Sequence, residues 1–327
     1  MKIALGVISP AQAWVLPKHF ADQLRRDFPQ HEFEEAWDRD ALRRVLQEAD
    51  AAFAAFVDRD LVPTLTRLRW VQAPAAGVGH LLSAELIASP IVLTSARGVR
   101  ARAIAEHVLA VTLALARQLP LAIRRQIEHT WALDEIERSG AVRTLAGKWM
   151  GIVGLGAIGC EVARLAAAFG LRVAAVRKHT DRAMPAGVEE VFGIERLFDM
   201  LRKSDVVVLA APLTAETRQL VNRAALDAIK PGALLVNVGR GQLVDDDAVV
   251  AALGDGRLGG AALDVFTKEP LAPGSPYWEL ANVIVTPHSS GTMEDYWTPL
   301  VALFSENLRR FESGRPLINV VDKAAGY

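Results

Sequence analysis

Three polar residues each follow a short apolar run: Arg240 in V-N-V-G-R-G, Glu269 in D-V-F-T-K-E-P and His288 in V-T-P-H-S-S-G. Continuous apolar runs of this kind read as parallel strands covered on both faces. In an open α/β sheet, ligands bind beyond the carboxyl ends of the strands. Together the three residues suit the reduction of a 2-oxo acid. Arg240 offers a planar, permanently charged fork that takes a carboxylate and polarises the neighbouring carbonyl. His288 can give a proton to the carbonyl oxygen as hydride arrives, or remove it in reverse. Glu269 can hydrogen-bond the imidazole, orient it and favour its charged form. Singly, each has an ordinary structural explanation: a capping histidine, a surface arginine, an acid before Pro270. Their joint placement on three strand ends is what points to chemistry.

Elements able to position them are legible from residue 149 onward. The runs W-M-G-I-V-G, L-R-V-A-A-V, D-V-V-V-L-A, A-L-L-V-N-V, G-A-A-L-D-V-F and N-V-I-V-T alternate with helical stretches. Six strands with crossover helices predict a doubly wound sheet. Between the first run and its helix lies G-L-G-A-I-G, Gly154 to Gly159. In a strand–turn–helix setting, the first glycine permits the tight turn and the second admits a pyrophosphate. The third lets the helix lie close to the strand, and the helix amides face the phosphate charge. The first hundred residues repeat the rhythm more weakly, with strands expected at K-I-A-L-G-V, A-A-F-A-A-F-V, W-V-Q-A and I-V-L-T. A helical pattern from about Arg100 to Leu119 joins the two units. Another, from about Glu294 to Phe311, has no new strand-rich unit to complete and is expected to pack back on the first.

Composition narrows the class. With 327 residues and 51% hydrophobic content there is material for two cores. Lysine plus arginine and aspartate plus glutamate nearly cancel to a formal charge of -1, which disfavours a nucleic-acid or anionic-membrane binder. The single cysteine, Cys160, allows no internal disulfide and no cysteine-based zinc site, and no metal is expected. The opening M-K-I-A-L-G-V-I-S-P is too short and is broken by Pro10, so it reads as a strand rather than a signal peptide. The apolar stretch Ala103 to Leu119 carries Glu106, His107 and Arg117, so no membrane span is expected and a cytoplasmic location is.

Taken in order, G-L-G-A-I-G, V-N-V-G-R-G, A-A-L-D-V-F-T-K-E-P and T-P-H-S-S-G resemble the D-isomer-specific 2-hydroxyacid dehydrogenases. The likeness extends to A-P-A-A-G-V, S-A-R-G-V, A-E-H-V-L-A and T-L-A-G-K-W-M-G-I-V, and so covers about Trp70 to Gly291. It implies two doubly wound α/β domains, a Rossmann-type nucleotide domain (100–290) inserted into a flavodoxin-like substrate domain (1–99 and 291–327). It also implies an active site in the cleft between them and a homodimer formed through the nucleotide domains. Arg240, Glu269 and His288 match the family's catalytic arginine, glutamate and histidine. Ala76 and Gly77 match the loop whose amides receive the substrate carboxylate. Gly154, Gly156, Ala157, Ile158 and Gly159 match the dinucleotide turn. Val238 and Pro212 fall on strand-end segments assigned to the cofactor, Pro212 where a loop passes the adenosine. Asp264 matches the aspartate near the nicotinamide carboxamide.

Two departures are visible. The loop A-A-G-V-G-H carries Gly79 where the family pattern has an aspartate. After the second nucleotide-domain strand, where similar NAD enzymes place an acid, the chain reads V-R-K-H-T. Arg177 follows Gly159 by 18 residues, close to where a carboxylate would bond the adenine ribose. A carboxylate there repels a 2′-phosphate, whereas Arg177 and Lys178 attract one. NADP (as NADPH) is therefore the expected cofactor and NAD the weaker alternative. The partner is a small 2-oxo or 2-hydroxy acid such as glyoxylate or hydroxypyruvate. The alternatives are a phosphoglycerate-type dehydrogenase and a non-catalytic, dinucleotide-sensing binding protein. A formate oxidase would call for glutamine where Glu269 stands. Arg97, Arg100 and Arg102 read either as an anion site or as a solvated basic turn balanced by Glu106. Trp131, Tyr296 and Trp297 read as pocket walls or as packing and dimer contacts. His107 reads as a satisfied interior histidine, and Cys160 as a small packing residue.

Overall fold

The computed structural model describes residues 1–8 and 15–326, so Pro10 lies outside the described residues. The chain forms two compact units, Met1–Val99 with Met293–Tyr327, and Arg100–Thr292.

In the first unit, β1 (Lys2–Gly6), β2 (Glu32–Glu35), β3 (Ala51–Ala54), β4 (Trp70–Gln72) and β5 (Val92–Thr94) form an all-parallel sheet in the order β2-β1-β3-β4-β5. Four of these strands coincide with the expected apolar runs. β2, E-F-E-E, has no such signature, because an edge strand needs only one buried residue. Phe33 enters the core opposite Ile3 while the glutamates stay at the surface or half-buried. The helix Trp297–Glu312 buries Leu300, Val301, Phe304 and Leu308 in a core shared with Ile3, Phe53 and Trp70. Phe304 stacks between Phe53 and Trp70, with ring centroids 4.8 and 5.4 Å away. Burial of such a ring contributes on the order of 3 kcal/mol. Behind β4 runs a buried polar chain. The Asn307 amide donates to Gln72 (3.0 Å), and the Thr94 hydroxyl donates to Gln72 (2.8 Å) and accepts from the Trp70 indole (2.8 Å). Each group satisfies another, as burial requires.

The second unit contains β6 (Trp149–Val153), β7 (Arg172–Val176), β8 (Glu190–Phe192), β9 (Val206–Leu209), β10 (Ala233–Asn237), β11 (Leu258–Leu263) and β12 (Val283–Val285). All pair in parallel, in the order β12-β11-β10-β9-β6-β7-β8. The six expected strands are present. β8 is an addition, too short to show a period. Successive residues of one strand enter opposite cores: Val153, Val207 and Leu235 on one face, Ile152, Val208 and Val236 on the other. That explains the unbroken apolar runs. From β6 the chain winds outward through β7 and β8, then returns to β9 on the other side of β6. In open sheets of this kind ligands bind at such a reversal, here beyond the carboxyl ends of β6 and β9.

Candidate active site

The turn after β6 sits at that reversal. Gly154 has φ +101°, and a Cβ there would press on the Ala211 backbone at 2.8 Å, so a side chain is doubly excluded. At Gly159 a Cβ would collide with the Gly154 carbonyl, which fixes the close approach of the helix Ala157–Ala168 to the turn. Gly156 differs: nothing lies within 4 Å of where its Cβ would stand. The protein itself does not need a glycine there, but a ligand pressed against the backbone does. The first intrahelical bond runs from the Cys160 amide to the Gly156 carbonyl (3.0 Å), which leaves the amides of Ala157, Ile158 and Gly159 at the open helix start. The cradle fits a dinucleotide diphosphate. Cys160 is half-buried with its thiol toward the Leu155 carbonyl, and burial raises its pKa above the ordinary thiol range, as suits a packing residue.

At the other end of the sheet the three strand-end residues form one corner. His288 Nδ1 lies 2.8 Å from a Glu269 carboxylate oxygen, and the other oxygen accepts the Phe266 amide at 2.9 Å. Partial burial opposes ionisation of Glu269. The His288 bond, the Phe266 amide and the charges of His288 and Arg240 outweigh it and hold the carboxyl below the usual carboxylate range. Arg240 is exposed and donates to the Gly239 carbonyl (2.6 Å); among the described residues it forms no ion pair. Its turn is stapled by Asn237, wholly buried, which accepts from the Gly239 amide (3.1 Å) and donates to the Arg240 carbonyl (3.0 Å).

His288 itself has φ +52°. This left-handed backbone is held by Asp264, which is 1% exposed. The Asp264 carbonyl accepts the His288 amide (2.9 Å), and its carboxylate accepts the amides of Ser289 (2.8 Å) and Ser290 (3.1 Å) and the Thr286 hydroxyl (2.6 Å). Both Asp264 oxygens are thus spent on the loop that carries His288. His107 completes the layer, its Nε2 3.4 Å from the Thr286 hydroxyl, and burial lowers its pKa against the pull of Asp264. Sequence reasoning missed Asn237 and Thr286 as supports; the polar residue at the end of each apolar run was the available signal.

The V-R-K-H-T stretch follows β7. Arg177 donates to the carbonyls of Ala183 (3.1 Å) and Arg182, so it gathers its own loop, and its buried Nε has no partner among the described residues. Lys178 is exposed and paired at 3.3 Å with Glu216, a residue no motif had singled out. Glu216 lies on the loop after β9 that begins at Pro212, where the Thr217 hydroxyl donates to the Pro212 carbonyl (2.7 Å). Val238 is buried, its amide on the Leu209 carbonyl (3.1 Å).

In the first unit, Ala76 and Gly77 are exposed in the loop after β4, and among the described residues neither amide has an acceptor. Buried Val78 anchors that loop, and the Tyr296 hydroxyl donates to the Pro74 carbonyl at its base. Gly79 has open space at its Cβ position, so packing does not select glycine there. Trp297 packs on the first unit's core, whereas Trp131 is 89% exposed. Arg102 pairs with Glu106 and Glu161, and the Arg97 carbonyl accepts from Asn319 (2.7 Å). Arg100 stands at the start of the helix Ala101–Ala116. Among the described residues no single helix is long and apolar enough to cross a membrane.

A family model described as the D-isomer specific 2-hydroxyacid dehydrogenase, NAD binding domain, matches residues 109–290. A glyoxylate reductase of Aeropyrum pernix is 34% identical over 88% of this chain and 89% of its own. Among solved structures, a D-isomer specific 2-hydroxyacid dehydrogenase from Xanthobacter autotrophicus in complex with NADPH superposes with a TM-score of 0.82 at 30% identity, covering 100% of this chain and 99% of its own. An NADPH-dependent glyoxylate/hydroxypyruvate reductase from Sinorhizobium meliloti, in complex with NADP, gives 0.81 at 28% identity with the same coverage.

Proposed function

This chain belongs to the D-isomer-specific 2-hydroxyacid dehydrogenase family, and on that premise we propose that it reduces a small 2-oxo acid to the D-2-hydroxy acid with NADPH. The observation that carries the reading is the 2.8 Å contact between His288 and Glu269, set at a strand end within the field of Arg240. Glyoxylate and hydroxypyruvate are the proposed substrates, supported by the names of the relatives. Domain roles follow: residues 100–290 hold the dinucleotide, while 1–99 and 291–327 serve the substrate.

Bound nicotinamide dinucleotide supplies the hydride that reaches the carbonyl carbon. The work of the chain is placement and proton transfer. Arg240, without an ion-pair partner among the described residues, takes the substrate carboxylate and polarises the adjacent carbonyl. On the first unit, the amides of Ala76 and Gly77, without acceptors among the described residues, are assigned to substrate binding. His288 gives its proton to the carbonyl oxygen, completing the alcohol. Ionised Glu269 holds the imidazole through Nδ1, which leaves Nε2 toward the substrate. Asp264 supports the nicotinamide end by fixing the His288 loop.

At the cofactor's other end, Gly154, Gly156 and Gly159 and the amides of Ala157 and Ile158 receive the diphosphate, with Val238 beside the cofactor and Pro212 on the loop that passes the adenosine. Arg177 and Lys178 select the 2′-phosphate of NADPH over NADH. The buried Arg177 Nε, without a partner among the described residues, supports a site that has a further acceptor to gain. A homodimer is proposed on the exposed apolar stripe Leu119, Ile123 and Ile127, spaced at one helical turn and continued by Trp131 and Leu133. The unbridged Cys160 accords with the cytoplasm.

Steady-state rates over a panel of 2-oxo acids, each with NADPH and NADH, test the reading. Turnover of one or more with a preference for NADPH is expected. Tight cofactor binding with no turnover by either nicotinamide would leave a dinucleotide-sensing binding protein and end the enzyme reading.

A further inference from the structure

We infer that Asp246 is a positioning residue: its carboxylate clamps both ends of the loop carrying Glu269, and so sets the group that holds His288. The inference rests on the roles proposed for Glu269 and His288, and extends them to a residue that touches no reactant.

Asp246 opens the helix Asp246–Gly254, directly after its N-cap Asp245. One carboxylate oxygen accepts the Thr267 hydroxyl at 2.8 Å and the other the Tyr277 phenol at 2.9 Å. Glu269 lies between those two residues in sequence, so a single carboxylate ties down the loop on either side of it. Tyr277 is 4% exposed and packs on Phe266, with ring centroids 5.9 Å apart. The Phe266 amide is the one that donates to Glu269. Burial, then the neighbouring Asp246, with Asp247 and Asp245 acting in the same sense, raises the phenol well above its ordinary range, so it remains a donor at every working pH.

A second contact joins the same loop to the turn of Arg240. The Gln242 amide donates to the Thr267 carbonyl at 3.2 Å. A Cβ on Gly241 would collide with the backbone of Phe266 and Thr267. The segment following Arg240 therefore lies flat against the start of the Glu269 loop, and Asp246 closes the arrangement from the helix side. Arg240 and Glu269 are set by one shared support. The charged groups facing it are Asp245 and Asp247 from the helix, and Arg240 and His288 on the Glu269 side.

An acid that merely suits the start of a helix would act through the helix dipole, a role that Asp245 and Asp247 also fill. A clamp makes a different prediction. In Asp246→Ala, Glu269 loosens its 2.8 Å hold on His288. The alkaline limb of the 2-oxo acid reduction rate should then move to lower pH by about half a unit, with kcat about 5- to 10-fold lower. KM for the nicotinamide cofactor should stay unchanged. Asp246→Asn, which keeps one acceptor oxygen, should recover part of both effects. Thr267→Ala and Tyr277→Phe remove one bond each, and should each give a smaller shift in the same direction; they keep the test decisive if Asp246→Ala does not fold. Glu269→Gln is the reference. If its limb moves while the limbs of the clamp variants do not, the part given to Asp246 is overturned, whatever happens to their stability. If the limb of Glu269→Gln is itself unmoved, the Glu269–His288 reading fails and takes the clamp with it.

Discussion

The two ends of the dinucleotide-type crevice are built in opposite ways. At the His288 end, side chains are held from beneath by buried groups: Asp264 under the His288 loop, Asn237 under the Arg240 turn, Tyr277 under the Glu269 loop. At the Arg177 end, the partners are backbone carbonyls of an exposed loop and a solvent-exposed pair, Lys178–Glu216. Buried, charge-assisted bonds fix geometry and are costly to remove, whereas exposed pairs are worth little and exchange readily. On the proposed reading, reaction chemistry is set by what cannot move, and cofactor choice by what can be exchanged at the surface.

Breaking the rigid end should give the largest effects. His288→Ala should lower kcat on the order of 100-fold or more, through loss of general acid–base catalysis, while cofactor binding measured by fluorescence titration stays near normal. Near-normal turnover would overturn its role. At the exposed end, Arg177→Asp combined with Lys178→Ala should reduce the NADPH over NADH ratio of kcat/KM about 10- to 100-fold, the loss of charge-assisted contacts. An unchanged ratio removes these residues from cofactor selection. Asp264→Asn tests whether support at the rigid end is blind to the cofactor. It leaves the Ser289 and Ser290 amides imperfectly paired, so kcat/KM should fall about 10-fold with NADPH and NADH alike. A loss confined to one cofactor would erase the distinction between the two ends. The smallest effect belongs to Glu216→Gln. Freeing Lys178 should lower KM for NADPH by about 3-fold, more at low ionic strength, and leave NADH unaffected. Titration with 2′,5′-ADP against 5′-ADP reads the same difference without turnover.

The same contrast explains what could be read from the sequence. The apolar strands of the second unit, the glycine turn and the three strand-end residues were legible because each has a local signature: an unbroken run, a glycine spacing, a polar residue just past a strand. β2 and β8 were not, since an edge strand with one buried residue leaves no period to detect. Nor were Glu216, Thr286 and the Asp246 clamp. Their partners lie 38, 22 and 21 to 31 positions away in the chain, and only the fold brings them together. Of the arginine cluster, Arg102 reads as the balanced turn, with Glu106 and Glu161 beside it.

The charged strand β2 also governs how the chain meets others of its kind. An open sheet offers its outermost strand as a template on which a foreign strand can extend it. Here that margin carries Glu32, Glu34 and Glu35, with Lys2 pairing to Glu34 across the neighbouring strand. At the opposite margin the returning C-terminal segment already occupies β5, through the antiparallel bridge of Thr94 to Val320. In the first unit one margin is thus charged and the other is bridged by its own tail, and both features disfavour strand addition. Side-chain surfaces such as the exposed helix Leu119–Ile127 remain open to the proposed self-association.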